Sequence, residues 1–435
     1  MNILIRNGRV IDPASQTDRA ADVAIAQGRI VALVGAGEAL PQGFVADDTV
    51  DASGCIVAPG LVDLQVRLRE PGHEHAGMLD SELAAAVAGG VTSLVCPPDT
   101  DPVLDEPGLV DMLTHRASQW RRSRVFPLGA LTRGLQGEVL TEMAELTEAG
   151  CVGFSQAEVP VADTQVLQRA LQYAATYGYT VWLRPQERHL GKGVAASGPL
   201  ATRMGLSGVP VAAETIALHT IFALMRSTRA RVHLCRISSA EGVALVRAAK
   251  AEGLAVTADV SIHSLHLSDQ DIGYFDSRAR LTPVLRQQRD RDALQAALAD
   301  GTLDALVSDH TPVDNDAKAL PFAQAEPGAT GVELLLSLAL KWGEASDAGL
   351  MRALDVVTAQ PARCLPQAEA LGLGQLRVGG VADMVVFDPD PTWQVQPAAL
   401  RSQGKHTPFA FDVSGMALPG RVRSTWIDGR RVFQA

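Results

Sequence analysis

The chain has few of the features that mark a secreted, membrane-bound or nucleic-acid-binding protein. Its cysteines, Cys55, Cys96, Cys151, Cys235 and Cys364, are odd in number and widely spaced, with no Cys-x-x-Cys pair. That pattern argues against a disulfide framework. Cys96, Cys151 and Cys235 sit in apolar runs, as buried thiols of a reducing compartment do. No apolar stretch approaches the length of a membrane span, and the opening MNILIRNGRVID lacks the apolar segment of a secretory signal. No Gly-x-Gly-x-x-Gly follows an apolar run, which removes the usual dinucleotide fingerprint. Lysine is scarce, present only at 192, 250, 318, 341 and 405, so nearly every cation is arginine, a bias whose simplest reading is GC-rich coding. With a net charge of −11, broad attraction to nucleic acid or an anionic membrane is excluded. A cytoplasmic protein is expected.

What is present is enough apolar residue for a large core: 47% of 435 residues, which favours one large domain with a smaller companion. The first fifty residues read as short strands between turns (ILIRNG, DVAIAQGR, IVALVG), and the last sixty repeat that texture. Residues 1–54 and 366–435 are therefore expected to form one discontinuous β-sandwich. The middle, 55–365, alternates apolar runs with amphipathic helical patterns. The runs are LVDLQV, VTSLVC, RVFPLG, GCVGFS, TVWLR, RVHLCR, AVTADV and DALVSD. Eight such runs predict an α/β fold, a (β/α)₈ TIM barrel; an open doubly wound sheet is the structural alternative. Chemistry in such barrels gathers at the C-terminal strand ends.

Those strand ends, together with NGRVIDP, APGLVDLQVRLREPG, AGGVTSLVCPPDTDPV, GVPVAAE, LTPVLR, VSDHTP and the closing GRVRSTWIDGRRV, resemble the dihydroorotase branch of the amidohydrolase superfamily. The resemblance covers nearly the whole chain. It implies a metal-dependent hydrolase of cyclic amides, with zinc held at the barrel mouth. Where the family ends its first strand in His-x-His, this chain has Gln65-Val66-Arg67. Residues two apart in a strand face the same side, so this pair would have to grip one ion together. An amide and a permanent cation cannot. The metal-bridging position of the fourth strand falls on Gln156 and Ala157, with no lysine nearby to be carboxylated. The fifth- and sixth-strand histidines are replaced by Arg184 and Arg236, and only the eighth-strand Asp309 survives. The expectation is no metal cofactor and a vestigial Asp309.

The substrate-binding pattern is altered too. Arg69 and His310 remain, Asp99 stands in place of the family's Asn, and Thr282 replaces another. Arg69 and Asp309 are expected to form an internal ion pair, and Arg67, Arg184 and Arg236 to converge where two dications would sit. His73-Glu74-His75 is a His-x-His in a loop, read as surface; His263 and His266 are read as hydrogen-bonded loop residues, and His233 as a satisfied core histidine. What the resemblance implies for function is a non-catalytic dihydroorotase homologue in a hetero-oligomer with the catalytic chain of aspartate transcarbamoylase, with self-association as well. An active zinc-dependent dihydroorotase with an altered metal site, or an anion-binding regulatory module seated on the three arginines, are the other readings.

Overall fold

A computed structural model describes residues 1–35 and 38–435. The eight apolar runs become eight short parallel strands: Leu61–Asp63, Val91–Cys96, Arg124–Pro127 continued by Gly129–Ala130, Phe154–Ser155, Thr180–Leu183, Arg231–Leu234, Val256–Ser261 and Ala305–Val307. They pair in sequence order. A parallel bridge between Val66 and His310 closes the eighth strand onto the first. The predicted TIM barrel is the observed one. Strands covered on both faces need no polar alternation, which is why Val91–Cys96 is buried throughout.

The helices are set by ordinary end signals. Asp163 caps Thr164–Tyr177 by accepting from the N–H groups of Gln165 and Val166, and Gly178 ends that helix at φ 75°. Ser239 caps Ala240–Glu252 in the same manner. Leu83, Leu113, Leu171, Phe222, Val246 and Leu298 belong to the continuous apolar core of strands and helices. The amphipathic stretch EVLTEMAELTEAG is helical only over Met143–Glu148, and Pro107–Gln119 forms the helix after the second barrel strand.

Both termini build the smaller domain, as a single hydrogen-bonded sheet of eight strands. The edge strand Arg29–Gly35 bridges back to Val381, and the Ile30 N–H donates to the Gly380 carbonyl at 3.1 Å. The layers expected of a sandwich are thus parts of one curled sheet around Ile5, Val23, Ile25, Met384 and Trp426. The domain boundary also moves. Ile56–Pro59 pairs with Asn2–Asp12 and Met384–Gln394, so it belongs to the sheet, and the barrel begins at Leu61. Arg124, at the start of the third barrel strand, spans the junction by donating to Asp383 at 2.9 Å and Asp428 at 2.5 Å.

Residues 395–410, between two strands of the sheet, run back over the barrel mouth. Ser402 donates to Glu82 at 2.6 Å, the Gln403 N–H donates to the same carboxylate at 2.9 Å, and Phe409 stacks on His263 with ring centres 5.5 Å apart.

Gly60 joins the last sheet strand before the barrel to the first barrel strand. A Cβ there would lie 2.1 Å from Thr92 Oγ1 and 2.7 Å from Thr92 Cβ. Gly60→Ala is therefore expected to cost about 1–3 kcal/mol through overpacking. It should lower the urea midpoint with the slope unchanged; an unaltered midpoint would show that the junction relaxes freely.

Candidate functional site

The barrel closure places Gln65 and Arg67 on either side of the Val66–His310 bridge, both buried at the mouth. Arg67 spends its donors on three loops. Its Nε donates to Asp99 (2.8 Å), one terminal nitrogen to Thr311 (3.0 Å) and the other to Glu158 (2.8 Å). Asp99, which stands in place of the family's Asn, neutralises Arg67. Among the described residues the Gln65 amide nitrogen is buried without a hydrogen-bond partner.

Glu158 is the centre of the arrangement. Its Oε1 accepts from Arg67 (2.8 Å) and Arg236 (2.6 Å), its Oε2 is ion-paired with Arg184, and its backbone carbonyl accepts from Arg184 (3.2 Å). Arg236 also donates to Asp309 at 2.9 Å and to the Thr282 carbonyl at 3.3 Å. The three guanidiniums do converge, on three carboxylates: Glu158, Asp99 and Asp309. Burial works against ionised Glu158, yet the charges of Arg236, Arg184 and Arg67 hold its carboxyl well below the usual range. For Asp309 burial wins, and the carboxyl is pushed up to about 6 despite Arg236 and Arg67. Ala157, Arg236 and Asp309 all take positive φ (49°, 56° and 49°), a sparsely populated region for non-glycine residues. Such strain gathers where surrounding contacts fix side-chain direction.

The remaining candidates are divided between this cluster and other tasks. Gln156 is turned into the barrel wall, accepting from Thr132 (3.0 Å) and donating to the Leu135 carbonyl (2.8 Å). The expected Arg69–Asp309 pair is not formed. Arg69 donates to the Pro312 carbonyl (2.7 Å) and to Glu326 (3.2 Å), while Asp309 is taken by Arg236. His310 is structural: its Nδ1 accepts from the N–H groups of Gly331 and Val332, so its Nε2 carries the proton and donates to Glu82 at 2.8 Å. His266 is hydrogen-bonded to the Leu338 carbonyl (3.0 Å), but His263 is not a hydrogen-bonded loop residue. It lies in the short helix Ile262–His266, buried, with Nδ1 at 4.0 Å from Asp309. His233 is bonded on both ring nitrogens, to Thr257 and Asp259. His75 is 63% exposed beside Asp314, in the loop outside the mouth. Sequence reasoning passed over Glu158. The available signal was charge balance, since GFSQAE holds one acid beside a site with three surplus arginines.

These residues do not fit a zinc centre. Of Gln65, Arg67, Gln156, Arg184, Arg236 and Asp309, only Asp309 offers an anionic ligand, and one of its oxygens is already bound to Arg236. His263 would add one imidazole; His310 is engaged with Glu82. His233, Cys235 and Asp259 have candidate ligand atoms within 4.8 Å of one another. However, both ring nitrogens of His233 are occupied, and Asp259 also accepts from the Arg236 N–H at 2.6 Å. That cluster braces the sixth and seventh strands.

Removing the shared carboxylate would leave three guanidiniums facing one another. Glu158→Gln is expected to destabilise by about 3–5 kcal/mol, the cost of breaking a buried ion pair. Because the native carboxyl titrates below its unfolded value of about 4.5, its contribution is present above that pH and is lost as pH falls. Thermal melting should therefore show the full gap between wild type and variant at pH 7, and a narrowing gap below about pH 4.5. A gap that is constant across this range would place the stabilisation elsewhere.

Comparison with known proteins gives a consistent affiliation. Residues 54–242 match the family described as Dihydro-orotase-like, and residues 211–433 match the Amidohydrolase family. A Dihydroorotase-like protein of Pseudomonas aeruginosa is 43% identical over 430 residues, covering 99% of both chains. A Dihydroorotase of Geobacter sp. is 40% identical over 436 residues, covering 100% of both. Among solved structures, the L-hydantoinase (dihydropyrimidinase) of Arthrobacter aurescens superposes with a TM-score of 0.86 at 23% identity, over 99% of this chain and 96% of that one. It shares the fold. The chain is a dihydroorotase-like member of the amidohydrolase family.

Proposed function

We propose that this chain is a catalytically silent dihydroorotase homologue. In this reading it acts in pyrimidine biosynthesis as a structural partner of the catalytic chain of aspartate transcarbamoylase, in a cytoplasmic hetero-oligomer. The observation that carries the first half is the clasp of Arg67, Arg184 and Arg236 on Glu158. Cyclic-amide hydrolysis by this family needs a metal ion to lower the pKa of a bound water. Here the positions that would hold the ion carry groups that cannot be deprotonated to ligate. A water beside Glu158 would meet guanidinium donors and a strongly acidic carboxylate, which is a poor proton acceptor. Asp309, which would shuttle the proton, is bound to Arg236 instead. The assembly role rests on the family resemblance taken together with the loss of the metal ligands.

Three measurements test the proposal. The purified chain should contain no stoichiometric zinc by elemental analysis and should neither open dihydroorotate nor close carbamoyl-aspartate. Bound zinc with turnover would favour an active enzyme with an altered site. Size-exclusion chromatography with the transcarbamoylase at micromolar concentration should give one larger co-eluting species; separate elution removes the scaffold role. In the Gln65→His, Arg67→His double variant, turnover should remain absent, because Gln156, Arg184 and Arg236 still offer no ligands. Measurable hydrolysis would reveal ligands other than those considered.

A further inference from the structure

The mouth opens into a cavity of about 420 Å³ whose wall carries seven cationic and five carboxylate side chains. The clasp accounts for three of each, and Arg69 with Glu326 for one more of each. Arg286 donates to the Ser238 hydroxyl at 2.8 Å, and that hydroxyl donates to Glu214 at 2.6 Å, so these two charges are joined through one oxygen. Two cations remain, Arg280 and Lys192.

Arg280 is the more constrained. Its carbonyl accepts from Lys318 Nζ and from the Gly328 N–H, each at 3.0 Å, which pins the backbone. The guanidinium is left under-used. Among the described residues its Nε is buried without a partner, and one terminal nitrogen reaches only the Leu281 carbonyl at a long 3.4 Å. Burial alone lowers its pKa, with no carboxylate acting on it. Lys192 ends the turn Leu190–Lys192 and stands exposed at the rim. The two terminal nitrogens, on a fixed backbone at the wall of a cavity with surplus positive charge, form a fork of the kind that carboxylates and phosphates engage in bidentate fashion. About 420 Å³ is the size of a pocket for one small metabolite.

We infer that this cavity binds a small oxyanion-bearing metabolite, a dicarboxylate or a phosphate compound, on Arg280, with Lys192 closing over it from the rim. The seat differs from one on Arg67, Arg184 and Arg236, whose donors are already committed to protein carboxylates. It deepens the reading of a non-catalytic mouth by giving that mouth a ligand. Calorimetry registers binding with or without turnover, so the two ideas fail separately.

The test is isothermal titration of the full-length protein at low salt, with inorganic phosphate and with succinate in separate runs. Saturable one-to-one binding of at least one probe is expected, and which one binds identifies the oxyanion. Arg280→Gln should weaken it roughly tenfold or more, and Arg280→Lys less, since charge survives while the fork is lost. Lys192→Gln, on the exposed rim, should weaken it several-fold with an unchanged melting temperature, and Arg421→Gln, outside the cavity wall, should have no effect. Absence of heat with both probes at millimolar concentration, or undiminished affinity in both Arg280→Gln and Lys192→Gln, would overturn the inference.

Discussion

One carboxylate organises the barrel mouth. Glu158 draws together three guanidiniums carried by the first, fifth and sixth strands, and through Arg236 it is linked to Asp309 of the eighth. Three arginines and two carboxylates from five separate strand ends could not sit this close as isolated charges, because each desolvated ion is costly unless compensated. Compensation is local and nearly complete, so a site built around cationic metals in the family's plan is here built around cationic side chains. The loops at the mouth are thereby held by ion pairs.

Much of this was legible in the sequence because parallel barrel strands are buried on both faces and appear as uninterrupted apolar runs. Gln65 and Arg67 could be read as a same-side pair from strand geometry alone, and the surplus of arginine at the strand ends was visible as composition. The partners were not. Glu158 lies beyond the fourth strand, after a left-handed turn at Ala157, and no periodicity predicts where such a loop points. Glu326 is 257 residues from Arg69, and Glu82 is 228 from His310. Such pairings are set by tertiary closure, so strand-end residues were identified more securely than their contacts.

His310 shows how a retained residue can mislead. Its place beside Asp309 reads as a remnant of substrate binding, but backbone donors on one nitrogen and Glu82 on the other fix the ring as an internal brace. The same Glu82 accepts from Ser402 and Gln403. One buried acid thus ties the first barrel helix, the eighth strand and the segment descending from the terminal sheet.

That descending segment, residues 395–410, makes the two domains mechanically inseparable. Phe409 roofs His263, and Thr330 donates its hydroxyl to the Gly404 carbonyl and its N–H to the His406 carbonyl, so the barrel's upper rim is partly made of chain whose ends are anchored in the other domain. Cutting the polypeptide near residue 366 would therefore not release a self-sufficient barrel. It would strip the lid from a buried histidine and a buried glutamate together, and both domains should melt as one cooperative unit.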